Sequence, residues 1–175
     1  MTLKKKKIFN AMIKSQFNYC PLVWMFCSRS LNNMINKVHE RSLRMISDDY
    51  SSDFEELLDH NNDISNHHRN IQTLMIEMFK IYHNLAPPIM ESMFQKRVKS
   101  YNLRNFQEFL TEKKRTVSLG LETISYRSPQ LWSLLPENLK LTNSLHQFKT
   151  GIKKWICHKC PCRLCKTYVA NLGFL

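Results

Sequence analysis

Ile64-Ser65-Asn66-His67-His68-Arg69-Asn70-Ile71-Gln72-Thr73-Leu74-Met75-Ile76-Glu77-Met78-Phe79-Lys80-Ile81-Tyr82-His83-Asn84-Leu85 is the stretch on which the fold turns. It contains no glycine or proline. Ile71, Leu74, Met75, Met78, Phe79, Ile81, Tyr82 and Leu85 return at three- and four-residue steps, the repeat of an α-helix. They cover an arc wider than one surface stripe, so the spacing predicts a helix over 64–85 at the centre of a core. Pro87 and Pro88 end it.

Working outward, residues 2–18 read as a helix with Thr2 as cap and an apolar stripe of Ile8, Phe9, Met12, Ile13 and Phe17. Tyr19-Cys20-Pro21-Leu22-Val23-Trp24-Met25-Phe26-Cys27 is an apolar block expected to be buried, with Pro21 opening a new helix and Cys20 and Cys27 serving as small buried hydrophobes. Residues 30–46 predict a helix capped by Ser30, with Leu31, Met34, Ile35, Val38, Met45 and Ile46 on one side. Asp53 is placed to cap a short helix bearing Phe54, Leu57 and Leu58, ended by Asn61 and Asn62.

Beyond Pro88 a short helix from Ile89 to about Lys96 is expected. Residues 101–125 alternate weakly, in Thr116-Val117-Ser118-Leu119-Gly120 and Thr123-Ile124-Ser125, and read as short strands or extended loops. Pro129 opens a helix that closes before Pro136, and Ser144 caps a last one carrying Leu145, Phe148, Ile152 and Trp155. The fold class is mainly α: a helical bundle with a small irregular or β segment at about 101–125 and a Cys-rich tail. The expected divisions are 1–100, 101–156 and 157–175.

The 175 residues carry a net charge of +12, unevenly spread. Seven of the fourteen acids lie between Asp48 and Asp63, a window without Lys or Arg, so the remainder is far more basic than the average suggests. Such a surface attracts phosphates and releases counterions on binding. Charged or amide residues interrupt every apolar run, so no membrane span is expected. Lys4-Lys5-Lys6-Lys7-Ile8-Phe9 lacks the apolar core and cleavage site of an export signal. A cytoplasmic or nuclear, non-secreted chain follows as the expectation, with cysteines that stay thiols or bind metal.

Cys157, Cys160, Cys162 and Cys165 fall within nine residues, and C-x-x-C supplies two thiolates from one tight turn, as zinc sites use. Only Pro161 separates Cys160 from Cys162, which strains a four-cysteine site; one pair with His158 or a distant histidine is easier to build. Zinc and free thiols in a basic tail both stand as readings. His67 and His68 are adjacent on a helix, about 100° apart, and read with His39, His60, His83 and His146 as solvated or hydrogen-bonded surface groups. Asp48-Asp49 ends a helix with no flanking strand and reads as a solvated connection rather than a phosphoryl-transfer pair. No Gly-rich phosphate loop, nucleophile elbow or H-E-x-x-H is present.

Two stretches carry a resemblance. Phe17-Asn18-Tyr19-Cys20-Pro21-Leu22-Val23-Trp24 followed by Ile35-Asn36-Lys37-Val38-His39-Glu40-Arg41-Ser42-Leu43-Arg44-Met45-Ile46 resembles the segment just downstream of the palm in non-LTR (LINE-type) retrotransposon reverse transcriptases. Tyr126-Arg127-Ser128-Pro129-Gln130-Leu131-Trp132-Ser133-Leu134-Leu135-Pro136, with Leu145-His146-Gln147-Phe148-Lys149, is similar to a stretch near the C-terminus of the same polyproteins. The resemblance implies the thumb-like and C-terminal part of an RNA-directed DNA polymerase, a fragment without the palm. The family's Tyr-x-Asp-Asp carboxylate motif is absent, so no catalytic residue carries over and the chain alone is not expected to be an enzyme. Scaffold carries over: Tyr19, Trp24, Arg41, Arg44, Trp132, Leu135, Pro136, Phe148 and Lys149. The terminal cysteines resemble a zinc-knuckle tail with altered spacing.

The functional expectation is therefore a non-catalytic surface that holds RNA or RNA–DNA hybrid, without sequence preference, through Lys4, Lys5, Lys6, Lys7, Lys14, Arg29, Lys37, Arg41, Arg44, Lys113, Lys114, Arg115, Lys153 and Lys154. Two alternatives stand beside it: a protein-interaction module that uses an exposed Trp155 and the tail Leu172-Gly173-Phe174-Leu175 to meet a partner such as the palm-containing region, or an inert relic.

Overall fold

The structure is a computed structural model and describes residues 2–97, 108–111, 113–116, 120–157, 160–162 and 164. It is mainly helical, and no sheet forms among the described residues. None of its helices is long and apolar enough to cross a membrane. The chain packs as two compact units, residues 1–70 and 71–175. The division expected at residue 100 lies outside the described residues, as do all of 101–107 and Val117, Ser118 and Leu119.

The first unit begins with α1 (Thr2–Ile8), which passes through a π-helical segment (Phe9–Lys14) into α2 (Ser15–Phe17). The π segment changes which side chains line up. A π turn closes i→i+5 bonds and needs more residues per turn than an α turn. Phe9 and Ile13 pack into the core, whereas Ile8 and Met12, about 100° round the helix from them, stand in water. The stripe read with a regular 3.6 repeat was therefore half wrong.

Helix α3 (Pro21–Trp24) starts with Pro21 at its first position, as expected, behind a left-handed Cys20 at φ 43°. Burial of the block around it is a correction: Met25 is buried, but Tyr19 and Val23 are exposed, Cys20 is exposed and Cys27 half-buried. Partial burial raises the Cys27 thiol above its ordinary pKa.

Helix α4 (Arg29–Ser47) is capped by Ser28 rather than Ser30; the Ser28 hydroxyl accepts from the Leu31 N–H. Asp48 closes it in the left-handed region, φ 54°. Helix α5 (Phe54–His60) has the full capping box, Asp53 accepting from Glu56 N–H and Glu56 accepting from Asp53 N–H. The core of this unit is Phe9, Leu43, Ile46, Leu57 and Leu58, with Ile13 and Phe54 against it.

Helix α6 (Asn66–Tyr82) crosses from the first unit into the second. Ile71, Leu74, Met75, Met78, Phe79 and Ile81 are almost wholly buried, as the arc predicted, but Tyr82 and Leu85 are exposed and the helix ends at Tyr82. The second unit continues with α7 (Pro88–Ser92), an isolated antiparallel bridge between Lys96 and Phe109, α8 (Ile124–Ser133), α9 (Glu137–Lys140) and α10 (Leu145–Ile152). Thr123-Ile124-Ser125 is thus a helix start with Thr123 at the cap position, not a strand, and Pro129 lies inside α8 rather than at its head. The Ser128 hydroxyl donates to the Ile124 carbonyl one turn back. Phe79 and Phe148 stack with centroids 4.3 Å apart, Tyr82 and Phe109 close on Trp132 at 5.6 and 5.9 Å, and Trp132 itself is 6.2 Å from Phe148.

Candidate metal centre and basic surface

After α10 the chain is held by a buried amide. The Gln72 side chain, on α6, donates to the Trp155 carbonyl at 3.0 Å and the Lys153 carbonyl at 3.4 Å. Trp155 is consequently half-buried rather than exposed, and the Leu172–Leu175 tail lies outside the described residues. The next residues bury three cysteines, Cys157, Cys160 and Cys162, at 5, 6 and 0% exposure.

His67, Cys160 and Cys162 bring one ligand atom each within 4.8 Å of one another, all three residues buried. This group could hold a metal ion. Two thiols and an imidazole are a soft-to-borderline donor set, the chemistry of zinc sites. Tetrahedral zinc with thiolates at about 2.3 Å sets its sulfurs about 3.8 Å apart, so small side-chain adjustments would close the group on an ion.

The cysteine expectation is met in part: Cys160 and Cys162 join the group, Cys157 is buried but outside it, and Cys165 and His158 fall beyond the described residues. The surface reading of His67 is overturned. Its signal was available, since 67, 71, 74, 75 and 78 form one helical line. The imidazole extends the apolar stripe of α6 by a turn and goes where the stripe goes.

His39 is likewise no surface group. It is fully buried, within 6 Å of the Phe9, Phe17 and Phe54 rings, with Nε2 3.5 Å from Asp63 Oδ2. Asp63 accepts from Lys14 Nζ at 3.0 Å, from Arg69 at 2.6 Å and from the Ile64 N–H at 2.8 Å. Burial pushes its carboxyl upward, but the His39 contact, the Arg69 charge, the Lys14 ammonium and the Ile64 N–H together hold it well below the usual carboxylate range.

That node removes Lys14 from the phosphate-binding candidates. Lys5 binds Asp48 and Arg44 binds Glu40, each at 2.7 Å, while Lys6 donates to the Asn61 carbonyl. Lys114 is half-buried. Lys4, Lys7, Arg29, Lys37 and Arg41 in the first unit stay exposed, as do Lys113, Arg115, Lys153 and Lys154 in the second. Lys37 and Arg41 sit one turn apart on the same face of α4.

The Asp48-Asp49 pair behaves as a connection. Asp48 is a helix end bound to Lys5, and Asp49 accepts from the Ser51 and Ser52 N–H groups; the Ser52 hydroxyl, then the Ser52 and Ser51 N–H groups, lower its pKa. In the second unit a cleft of about 460 Å³ is lined by Tyr82, Lys96, Arg97, Glu108, Glu137, Lys140 and Leu141. Its Glu108 is engaged by Lys140 at 3.3 Å, so the two acids do not act as a free pair. Comparison with family models, curated proteins and solved structures finds no match to this chain.

Proposed function

We propose that the chain is the non-catalytic, nucleic-acid-contacting part of a non-LTR retrotransposon reverse transcriptase, which holds RNA–DNA hybrid by its phosphates, with a zinc ion fastening its Cys-rich segment. The observation that carries it is the sorting of cations in the first unit. The carboxylates and the Asn61 carbonyl occupy Lys5, Lys6, Lys14 and Arg44, and Lys4, Lys7, Arg29, Lys37 and Arg41 are left to solvent. Solvated cations of this kind exchange counterions for phosphates and read no base edges. Zinc is supported by the buried His67, Cys160 and Cys162 group, a soft-to-borderline donor set.

Titrating a labelled RNA–DNA hybrid against the full chain at rising salt tests the first part. The expected log–log slope is steep, close to the number of phosphate contacts, with little dependence on sequence. Salt-independent binding, or none at low salt, overturns it. Metal analysis of the purified chain tests the second: one zinc per chain is expected, lost in Cys162→Ser. The proposal assigns the chain no chemical step, and a purified chain that extends a primer would refute it.

A further inference from the structure

Helix α4 does not bury the stripe its sequence displays. It packs inward through His39, Ser42, Leu43 and Ile46, and leaves Leu31, Met34, Val38 and Met45 at 52, 63, 48 and 64% exposure. One exposed leucine on a protein surface is ordinary; four in a line mark an interaction site. Residues 31, 34, 38, 41 and 45 follow one another in steps of three, four, three and four, the seam of a helix that packs along another helix. It runs about 21 Å. The seam's fourth position is Arg41, and Lys37 flanks it. Both are exposed and without an ion pair among the described residues.

We propose that this seam docks an amphipathic helix of a partner protein that carries carboxylates beside its own apolar line. The heptad spacing calls for a helix. The two unpaired cations call for acids. A second copy of this chain fits poorly: parallel pairing sets Arg41 against Arg41, and antiparallel pairing centred on Val38 brings Lys37 beside Lys37, like charges in each case. A phosphate backbone would neutralise Lys37 and Arg41 yet leave four apolar side chains in water. Partner helix and duplex therefore compete for these two cations, while Lys4, Lys7 and Arg29 remain with the duplex.

The probe is a labelled four-heptad peptide with Leu at the seam and Glu at the flanks, read by anisotropy with the full chain. A second peptide has Lys in place of Glu. The Glu peptide is expected to bind at ~micromolar concentration and the Lys peptide about tenfold more weakly. Met34→Asp and Val38→Asp, surface changes whose folding circular dichroism checks, should each weaken Glu-peptide binding about tenfold or more, while hybrid binding, carried also by Lys4, Lys7 and Arg29, falls far less. Arg41→Glu should reverse the preference between the peptides. No Glu-peptide binding, binding indifferent to Val38→Asp, or sedimentation showing a dimer that Val38→Asp dissolves overturns the inference. Loss of hybrid binding in Val38→Asp would give the face to nucleic acid instead. If the wild-type chain binds the Glu peptide but no hybrid, the proposed function fails and the docking seam stands.

Discussion

The two units solve the same packing problem with different materials. The second closes mainly on aromatic rings, Phe79, Phe148, Trp132 and Phe109, and its buried ion pair is a simple one, Arg127 with Glu122. The first builds its apolar cluster on Phe9, Leu43, Ile46, Leu57 and Leu58 and also buries a charged node, Asp63 between Lys14 and Arg69 with His39 alongside. A ring stack is forgiving, because a lost contact can be partly refilled by neighbours. A buried carboxylate is not, because each cation that leaves it is stranded in a low-dielectric place. The contrast shows how a chain rich in basic residues can place some of them inside.

The sharpest way to break the contrast is to remove its hub. Asp63→Ala takes the carboxylate from Lys14 and Arg69 and is expected to cost about 3 kcal/mol of stability in urea unfolding, among the largest single effects in the first unit. The double variant Asp63→Ala with Arg69→Met should recover part of it, since it removes one of the two cations left without the carboxylate. Additive losses would show that the node is not a unit.

Acid provides the same test without mutation. The folded-state pKa of Asp63 is depressed, so its contribution is fully present above the unfolded carboxylate value of about 3.9 and disappears as pH falls toward the folded value. Stability should decline as pH drops below about 4 in the wild-type chain. The decline should be shallower in Asp63→Asn, in which nothing remains to titrate at that place. Equal slopes in the two proteins would put the acid sensitivity elsewhere.

The second unit should answer more mildly to a comparable change. Phe148→Leu keeps an apolar group against Phe79 and Trp132 and is expected to cost about 1.5 kcal/mol in thermal or urea unfolding. A loss as large as that of Asp63→Ala would erase the distinction between a forgiving stack and an unforgiving node.

Much of this architecture was legible in the sequence, and the misses share a cause. Helix α6 was clear because its apolar arc is wide and no helix breaker interrupts it. The Asp53 cap was clear because a cap is a local device, spanning three residues. The readings that failed needed information that no local pattern holds. The α4 stripe looked like a core face, but which flank of an amphipathic helix is covered depends on what arrives to cover it, and the core formed on His39, Ser42, Leu43 and Ile46. The π segment hid because a repeat of 3.6 was assumed throughout. Pro129 reads as a helix start because proline is tolerated best there, whereas tertiary packing of Leu131 and Trp132 keeps it inside α8. The metal group is the intermediate case. Cysteine spacing points to a distant histidine, but His67 reads as a surface group because polar residues at a helix start are usually wet, whereas its place on the 67, 71, 74, 78 line buries it.

The smallest expected effect measures how local the first unit's stability is. Asp53→Ala removes one acceptor from the Glu56 N–H and leaves the Glu56 side chain to bind the residue-53 N–H alone. The expected cost is about 1 kcal/mol, within reach of urea unfolding. Asp53→Asn should cost less, because the amide oxygen still accepts while the favourable charge at the helix N-terminus is gone. These values follow if α5 gains its main stability by packing Leu57 and Leu58 into the core, with the cap a trimming contribution. A loss nearer to that of Asp63→Ala would mean that the cap nucleates α5 and that the unit folds outward from its acidic turn rather than inward around its charged node.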